Sequence, residues 1–220
     1  MTVLAPLHFA DAREAAALAA FLTRLVHYDR AAAVRLQAGG GALAVFGRPP
    51  SFEVLAIRTA RLVDAVDLDV TVSAGELLDG IEESAGKAVV PDSVTGPPWT
   101  GVLPPRGGWE PVPGLPGVPE LRGAVAAAVA EFRARDEELP EERRTRAERD
   151  ALGREIWSRT LGATGLPLRA VHAAQSLGFL PPGEAPTALF ASGPWLRLRT
   201  PYGSIALRTV PPISLGVAPR

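Results

Sequence analysis

Read as a pattern of apolar and polar positions, the chain divides into helical stripes, alternating strands and one segment that supports neither. In "DAREAAALAAFLTRLVHYD" (11–29), Leu18, Phe21, Leu22 and Leu25 recur at helical spacing and mark one buried stripe. Asp11 stands where an N-cap belongs, and Glu14 follows at capping-box distance. "AAAVRLQA" (31–38) and "ALAVF" (42–46) flank Gly39-Gly40-Gly41. That predicts a hairpin, because glycine accepts the positive φ angles of a tight reversal. "FEVLAIRTARL" (52–62) predicts a further strand. In "LDVTVSA" (68–74), Leu68, Val70 and Val72 alternate with Asp69, Thr71 and Ser73. Ser73 and Glu76 repeat the capping-box spacing ahead of "ELLDGIEESAG" (76–86), which predicts a second helix.

Residues 91–117 are rich in proline and glycine, which remove hydrogen-bond donors and add backbone entropy. Trp99 and Trp109 are too apolar for a solvated tether, so an arm anchored on a domain surface is expected. Helices are predicted over 119–139, 141–162 and 167–180. The middle one carries i,i+4 pairs at Glu142–Arg146, Asp150–Arg154 and Glu155–Arg159. "WLRLRTPYGSIALRT" (195–209) reads as a closing hairpin. Pairing Leu198 with Leu207 would put Leu196, Leu198, Ile205 and Leu207 on one face. Arg197, Arg199 and Arg208 would share the other, with Arg197 opposite Arg208. A three-residue loop with Gly203 left-handed would instead mix the faces. Like charges placed opposite one another destabilise a sheet, so an anionic partner is expected there. The protein's own carboxylates are favoured over a phosphate or a ligand carboxylate.

The pattern as a whole predicts an α+β protein. Its parts are an N-terminal two-layer unit of antiparallel sheet and helices (1–90), the arm (91–117), and a C-terminal helical unit closed by a β-hairpin (118–220).

Composition narrows the function classes. An apolar content of 47%, a charged content of 21% and a net charge of −1 describe a globular chain. They exclude a uniformly basic nucleic-acid binder but not a local patch. With 0 cysteines there is no disulfide, thiolate metal site or cysteine nucleophile. "MTVLAPLHFADAREAA" lacks a basic n-region, and no long apolar run occurs, so neither a signal peptide nor a membrane association is expected. A cytoplasmic location is the expectation. Of the 23 basic residues only Lys87 is lysine, so arginine is the default surface cation and each single arginine weighs little.

Two surfaces carry candidate chemistry. Residues 155–178 have helix-turn-helix-like spacing, with Gly162 in the turn and Trp157, Leu161, Ala163, Leu168 and Val171 where two helices would pack. The second helix would present Arg169, His172 and Gln175 to a major groove, with 195–209 as a wing. The long first helix and the apolar Leu166, Pro167, Ala170 and Ala173 speak instead for plain helix packing. The second surface is the arginine face of the hairpin: Arg197, Arg199 and Arg208. Elsewhere, His27 and Asp29 could pair, but no nucleophile elbow accompanies them. No metal-ligand spacing or phosphate loop is present, so neither metal nor cofactor is expected. Asp64, Asp67 and Asp69 read as a solvated edge.

The stretches "DLDVTVSAGELLDGIE", "GVLPPRGGWE" and "LPLRAVHAAQSLGFL", with the arginine-for-lysine usage, resemble a family of uncharacterised actinobacterial proteins of this length. The resemblance implies no activity and transfers no site residue. Three functions follow from the residues. The favoured one is a non-enzymatic regulatory or protein-interaction protein, with self-association or a protein partner, because catalytic signatures are missing. The second is a DNA-binding regulator through 155–178 and the wing. The third is a binder or enzyme for a small anionic metabolite.

Overall fold

A computed structural model describes residues 6–209. The opening five residues of the supposed non-signal segment, and the last part of the C-terminal unit (210–220), lie outside the described residues. In chain order the elements are β1 (Leu7–His8), α1 (Ala12–Tyr28), β2 (Ala33–Gly39), β3 (Ala42–Gly47), β4 (Leu55–Arg61), β5 (Leu68–Ser73), α2 (Ala74–Asp79), β6 (Ile81–Glu82) and β7 (Lys87–Ala88). After the arm come β8 (Glu110–Val112), α3 (Val118–Glu138), α4 (Arg146–Trp157), α5 (Leu168–Ser176), β9 (Ala188–Ser192), β10 (Trp195–Thr200) and β11 (Gly203–Arg208).

Helix α1 forms where its stripe and cap require. Asp11 accepts from the Arg13 and Glu14 amides, and Ala15, Leu18, Phe21, Leu22 and Leu25 are buried. Glu14 does not complete a capping box. Its carboxylate accepts from Arg61 at 2.9 Å instead. Strands β2 and β3 close through Gly40 and Gly41 at φ +58° and +78°, the left-handed geometry that the triple glycine supplies. The second helix is shorter than its sequence suggests. It is capped by Ser73 and ends at Asp79; the remainder holds β6 and the turn to β7, and β7 pairs with both β6 and β1 in a small three-stranded sheet.

One antiparallel sheet of eight strands, in the order β5-β2-β3-β4-β11-β10-β9-β8, runs through both halves of the chain. Its joint is β4 with β11, where Ile57 faces Ser204 and Ala56 faces Ile205. Arg58 ties the joint further: its guanidinium donates to the Tyr202 carbonyl at 2.6 Å and lies 3.8 Å from Glu14. One sheet face buries Val34, Leu36, Leu43, Val45, Leu198 and Ile205 in a single core with the inward residues of α1, α3 and α5. The opposite face carries a second, smaller cluster of Phe46, Leu55, Ile57, Trp195 and Ala206. Trp99, Leu103 and Trp109 of the arm cover it, so the arm is held down by its tryptophans.

Helix α4 starts later than its charge pattern suggests. Thr145 caps it, and Glu142 lies in a separate 3₁₀ turn at Glu141–Arg143, so the Glu142–Arg146 pair does not form. Asp150 pairs with Arg146 rather than Arg154, at 3.8 Å, while Glu155 does meet Arg159 at 3.0 Å.

Candidate functional site

The closing hairpin keeps its expected faces and changes its register. Leu198 pairs with Ile205, and Leu196 with Leu207, through a two-residue turn at Pro201-Tyr202. Leu196, Leu198, Ile205 and Leu207 enter the main core. Arg197 lies opposite Ala206, and Arg208 opposite Trp195, so the expected head-on arginine pair does not exist. The tight turn explains the shift: Thr200 Oγ1 accepts from the Tyr202 amide and donates to the Gly203 carbonyl, closing the reversal with two residues. The glycine at 203 has a separate cause. A Cβ there would lie 2.6 Å from the ring of Phe179.

The three arginines meet different surroundings. Among the described residues no ion pair involves Arg197, Arg199 or Arg208, and the stretches 1–5 and 210–220 contain neither Asp nor Glu. Among the described residues, then, no Asp or Glu carboxylate serves as their partner. Arg208 is exposed over the Trp195 ring at 6.0 Å. Arg199 is exposed, while Arg197 is drawn in beneath the arm, 5.8 Å from the centre of the Trp109 ring. Its Nε is buried without a hydrogen-bond partner. Burial, and then the neighbouring Arg199, push the Arg197 guanidinium below its ordinary pKa.

Arg197 and Arg199 border a cleft of about 670 Å³ on the outer sheet face. Thr59, Thr187 and Ser204 supply hydroxyls to its wall, and Trp109 and Phe190 supply aromatic faces. A second concavity, of about 390 Å³, abuts the first; Thr59 and Arg197 line both. The arm walls this region and is held by hydrogen bonds. Trp109 Nε1 donates to the Pro105 carbonyl at 3.0 Å, and Ser192 reaches the Gly107 carbonyl at 3.4 Å. Two cations, hydroxyl donors and aromatic faces in a partly closed cleft can hold a carboxylate or a phosphate.

The residues singled out on the third helix lie elsewhere. Helix α5 covers the inner sheet face, where it buries Leu168, Ala170, Val171, Ala173 and Ala174. His172 stacks on Trp157 at 4.4 Å and meets Phe52 edge-on at 5.1 Å, and burial lowers its pKa. Arg169 lies 3.7 Å from Glu53, and Gln175 Oε1 is buried without a partner. Arg169 and His172 border a separate hollow with Phe52 and Trp157. The six candidates thus fall on two faces. Residues 158–167 make a ten-residue connector between α4 and α5, against the three- to four-residue turn of a helix-turn-helix. Its Gly162 and Gly165 sit at φ +51° and +70°, and Leu161 N bonds back to the Leu166 carbonyl. The three polar side chains of α5 are half-buried by protein, which leaves little for a major groove.

Other candidates resolve locally. Asp29 accepts from the Ala31 amide at 2.9 Å, a turn role. Asp69 accepts from Arg35 at 2.6 Å and from Gln37, so it is bonded rather than merely solvated, and the Arg35 hydrogen bond lowers its pKa. Among the described residues no cluster of His, Asp or Glu is arranged to hold a metal. No described helix is long and apolar enough to cross a membrane. Trp109 had a sequence signal, as an anchor. Thr59, Phe190 and Ser204 had none beyond lying on the outer face of strands.

Residues 3–101 match the family model of a domain of unknown function, DUF8010, and residues 104–212 match that of a second, DUF8185. The chain thus carries matches to two domains of unknown function, and the two matches meet within the arm. A search of curated proteins returned no match.

Proposed function

We propose that the protein is a non-enzymatic binding protein for a small anionic metabolite, held by Arg197 and Arg199 in the outer-face cleft. One observation carries this reading: among the described residues the buried Arg197 Nε has no hydrogen-bond partner, and no Asp or Glu carboxylate pairs with the guanidinium. A buried charged donor left unpaired is costly, and a ligand carboxylate or phosphate supplies the missing acceptor. Arg199, two residues along the same face, provides a second cation for the same anion. The arm lies over the site through Trp109, so ligand binding would stiffen a surface built from both domains and give the protein a regulatory output toward a partner.

Thermal unfolding with inorganic phosphate, acetate and succinate tests the reading. A ligand at a hundredfold excess over its Kd stabilises by about 2.7 kcal/mol. At least one of these anions should raise Tm in the wild type and fail to do so in Arg197→Gln. Equal shifts in both proteins would overturn the assignment.

A further inference from the structure

The cleft at Arg197 is one lobe of a longer groove, and the two lobes differ in chemistry. The lobe toward β9 and β10 holds Arg199, Thr187, Ser204 and the Trp109 and Phe190 rings. The lobe toward β2 and β3 is floored by Ala44, Phe46 and Ile57 and roofed by Pro104 and Pro105 of the arm, with Gln37 and Arg106 as polar groups on its border. Phe46 and Ile57 belong to the apolar cluster of this face, and Ala44 packs partly buried against it. Arg197 and Thr59 stand where the lobes meet. A cation pair at one end and a mainly apolar trough leading away from it, bordered by Gln37 and Arg106, match a molecule with an anionic head and a hydrocarbon chain.

We infer that the groove binds a free, monomeric alkyl-chain carboxylate, its head on Arg197 and Arg199 and its chain along Ala44, Phe46 and Ile57. This rests on the anion-binding reading and adds the ligand class. The occupant is a dissolved molecule rather than a membrane, because Trp109 and residues 104–106 wall the groove from above and a flat bilayer surface does not reach Arg197. Ala44 lies in this floor, where a larger side chain would narrow the trough.

Isothermal titration with butanoate, hexanoate, octanoate and decanoate, each below its micelle concentration, tests the inference, with 1-octanol as the uncharged control. Burying one methylene is worth up to about fourfold in affinity, so Kd should fall about two- to fourfold per methylene until the lobe is filled. Octanol should bind far more weakly than octanoate. Ala44→Leu should flatten the chain-length dependence, weakening decanoate and octanoate far more than butanoate, and unchanged near-ultraviolet tryptophan ellipticity establishes that it folds. Arg197→Gln should weaken every member of the series. Two results would overturn the ligand class while leaving anion binding intact: affinity independent of chain length, or chain-length dependence undiminished in Ala44→Leu. Absence of binding by every acid, and by phosphate and succinate as well, would overturn both readings.

Discussion

The guanidinium of Arg197 lies 5.8 Å from the centre of the Trp109 ring, and that ring is the face Arg197 has in place of a carboxylate. Contacts of this kind are worth about 0.5–2 kcal/mol, depending on how dry they are. Trp109 also belongs to the apolar cover of the outer sheet face. Trp109→Ala is therefore expected to cost about 1–3 kcal/mol of stability in a urea titration. It should also weaken anion binding by admitting water to the cleft. Stability and affinity both unchanged would show that the arm does not hold the site.

Gly203 carries a second expectation. Any Cβ there would lie 2.6–2.7 Å from three ring atoms of Phe179, which itself stacks near Phe21 at 5.7 Å. The ring is buried, so Gly203→Ala should destabilise by about 1–3 kcal/mol, the usual cost of overpacking. Adding Phe179→Leu should recover part of the loss. A Tm equal to wild type for the single substitution would contradict the packing described.

How much of this was legible beforehand depends on how local the determinants are. Helix α1 was legible because Asp11 and the Leu18–Leu25 stripe lie within one element. The β2–β3 hairpin was legible because Gly40 and Gly41 set its turn. The two faces of β10 and β11 were legible too, since alternation fixes them. Their register was not: it hangs on Thr200 closing a two-residue turn, a side-chain choice that alternation does not encode. The β4–β11 joint was invisible, because its pairing brings together strands far apart in the chain. Without that joint β4 does not lie beside β11, so Thr59 could not be linked to Arg197, whereas Phe190 meets Arg197 across the local pairing of β9 with β10. The connector between α4 and α5 was read chiefly as plain helix packing, with a helix-turn-helix as the alternative. Its apolar spacing suits helix packing, but two glycines at positive φ widen the turn beyond a helix-turn-helix.

Strain at the β3–β4 turn gives a third expectation. Ser51 sits at φ +69° and Glu53 at +53°, left-handed conformations that cost a residue with a Cβ about 1–2 kcal/mol. Ser51→Gly relieves this, less the entropy that glycine adds to the unfolded chain, for a net gain of about 0.5–1 kcal/mol. Chemical denaturation reads it directly, and a loss of stability would show that the serine side chain contributes more than its strain.

The α3–α4 contact should respond to acid and salt. Arg135 donates to both Glu155 oxygens at 2.7 and 2.8 Å, and Arg159 donates to both Glu131 oxygens at 2.6 and 2.8 Å. Hydrogen bonds from Arg135, then Arg159, hold the Glu155 carboxyl down to about 2. The unfolded value is about 4.3, so the folded pKa is depressed. Such a group contributes stability above the unfolded pKa and loses it as pH falls through the folded one. The contribution should fade between pH about 4.3 and about 2. All four side chains are solvent-accessible, so added salt should shrink it. A carboxyl titration of Glu155 followed by NMR should show a midpoint near 2, and a midpoint near the ordinary value would mean the network does not persist in solution.

The most direct test of the account is an isothermal titration of phosphate and succinate into the wild type, Arg197→Gln and Arg208→Gln. Arg208 lies exposed over Trp195, outside the cleft lining, and serves as the control for charge alone. The account predicts saturable binding to the wild type by at least one of the two anions, weakened about tenfold or more by Arg197→Gln, since a buried ionic hydrogen bond is worth about 1.5–3 kcal/mol. Arg208→Gln should leave it nearly unchanged. Equal weakening by both substitutions, or no saturable binding to the wild type, would contradict the claim that Arg197 waits for an anion.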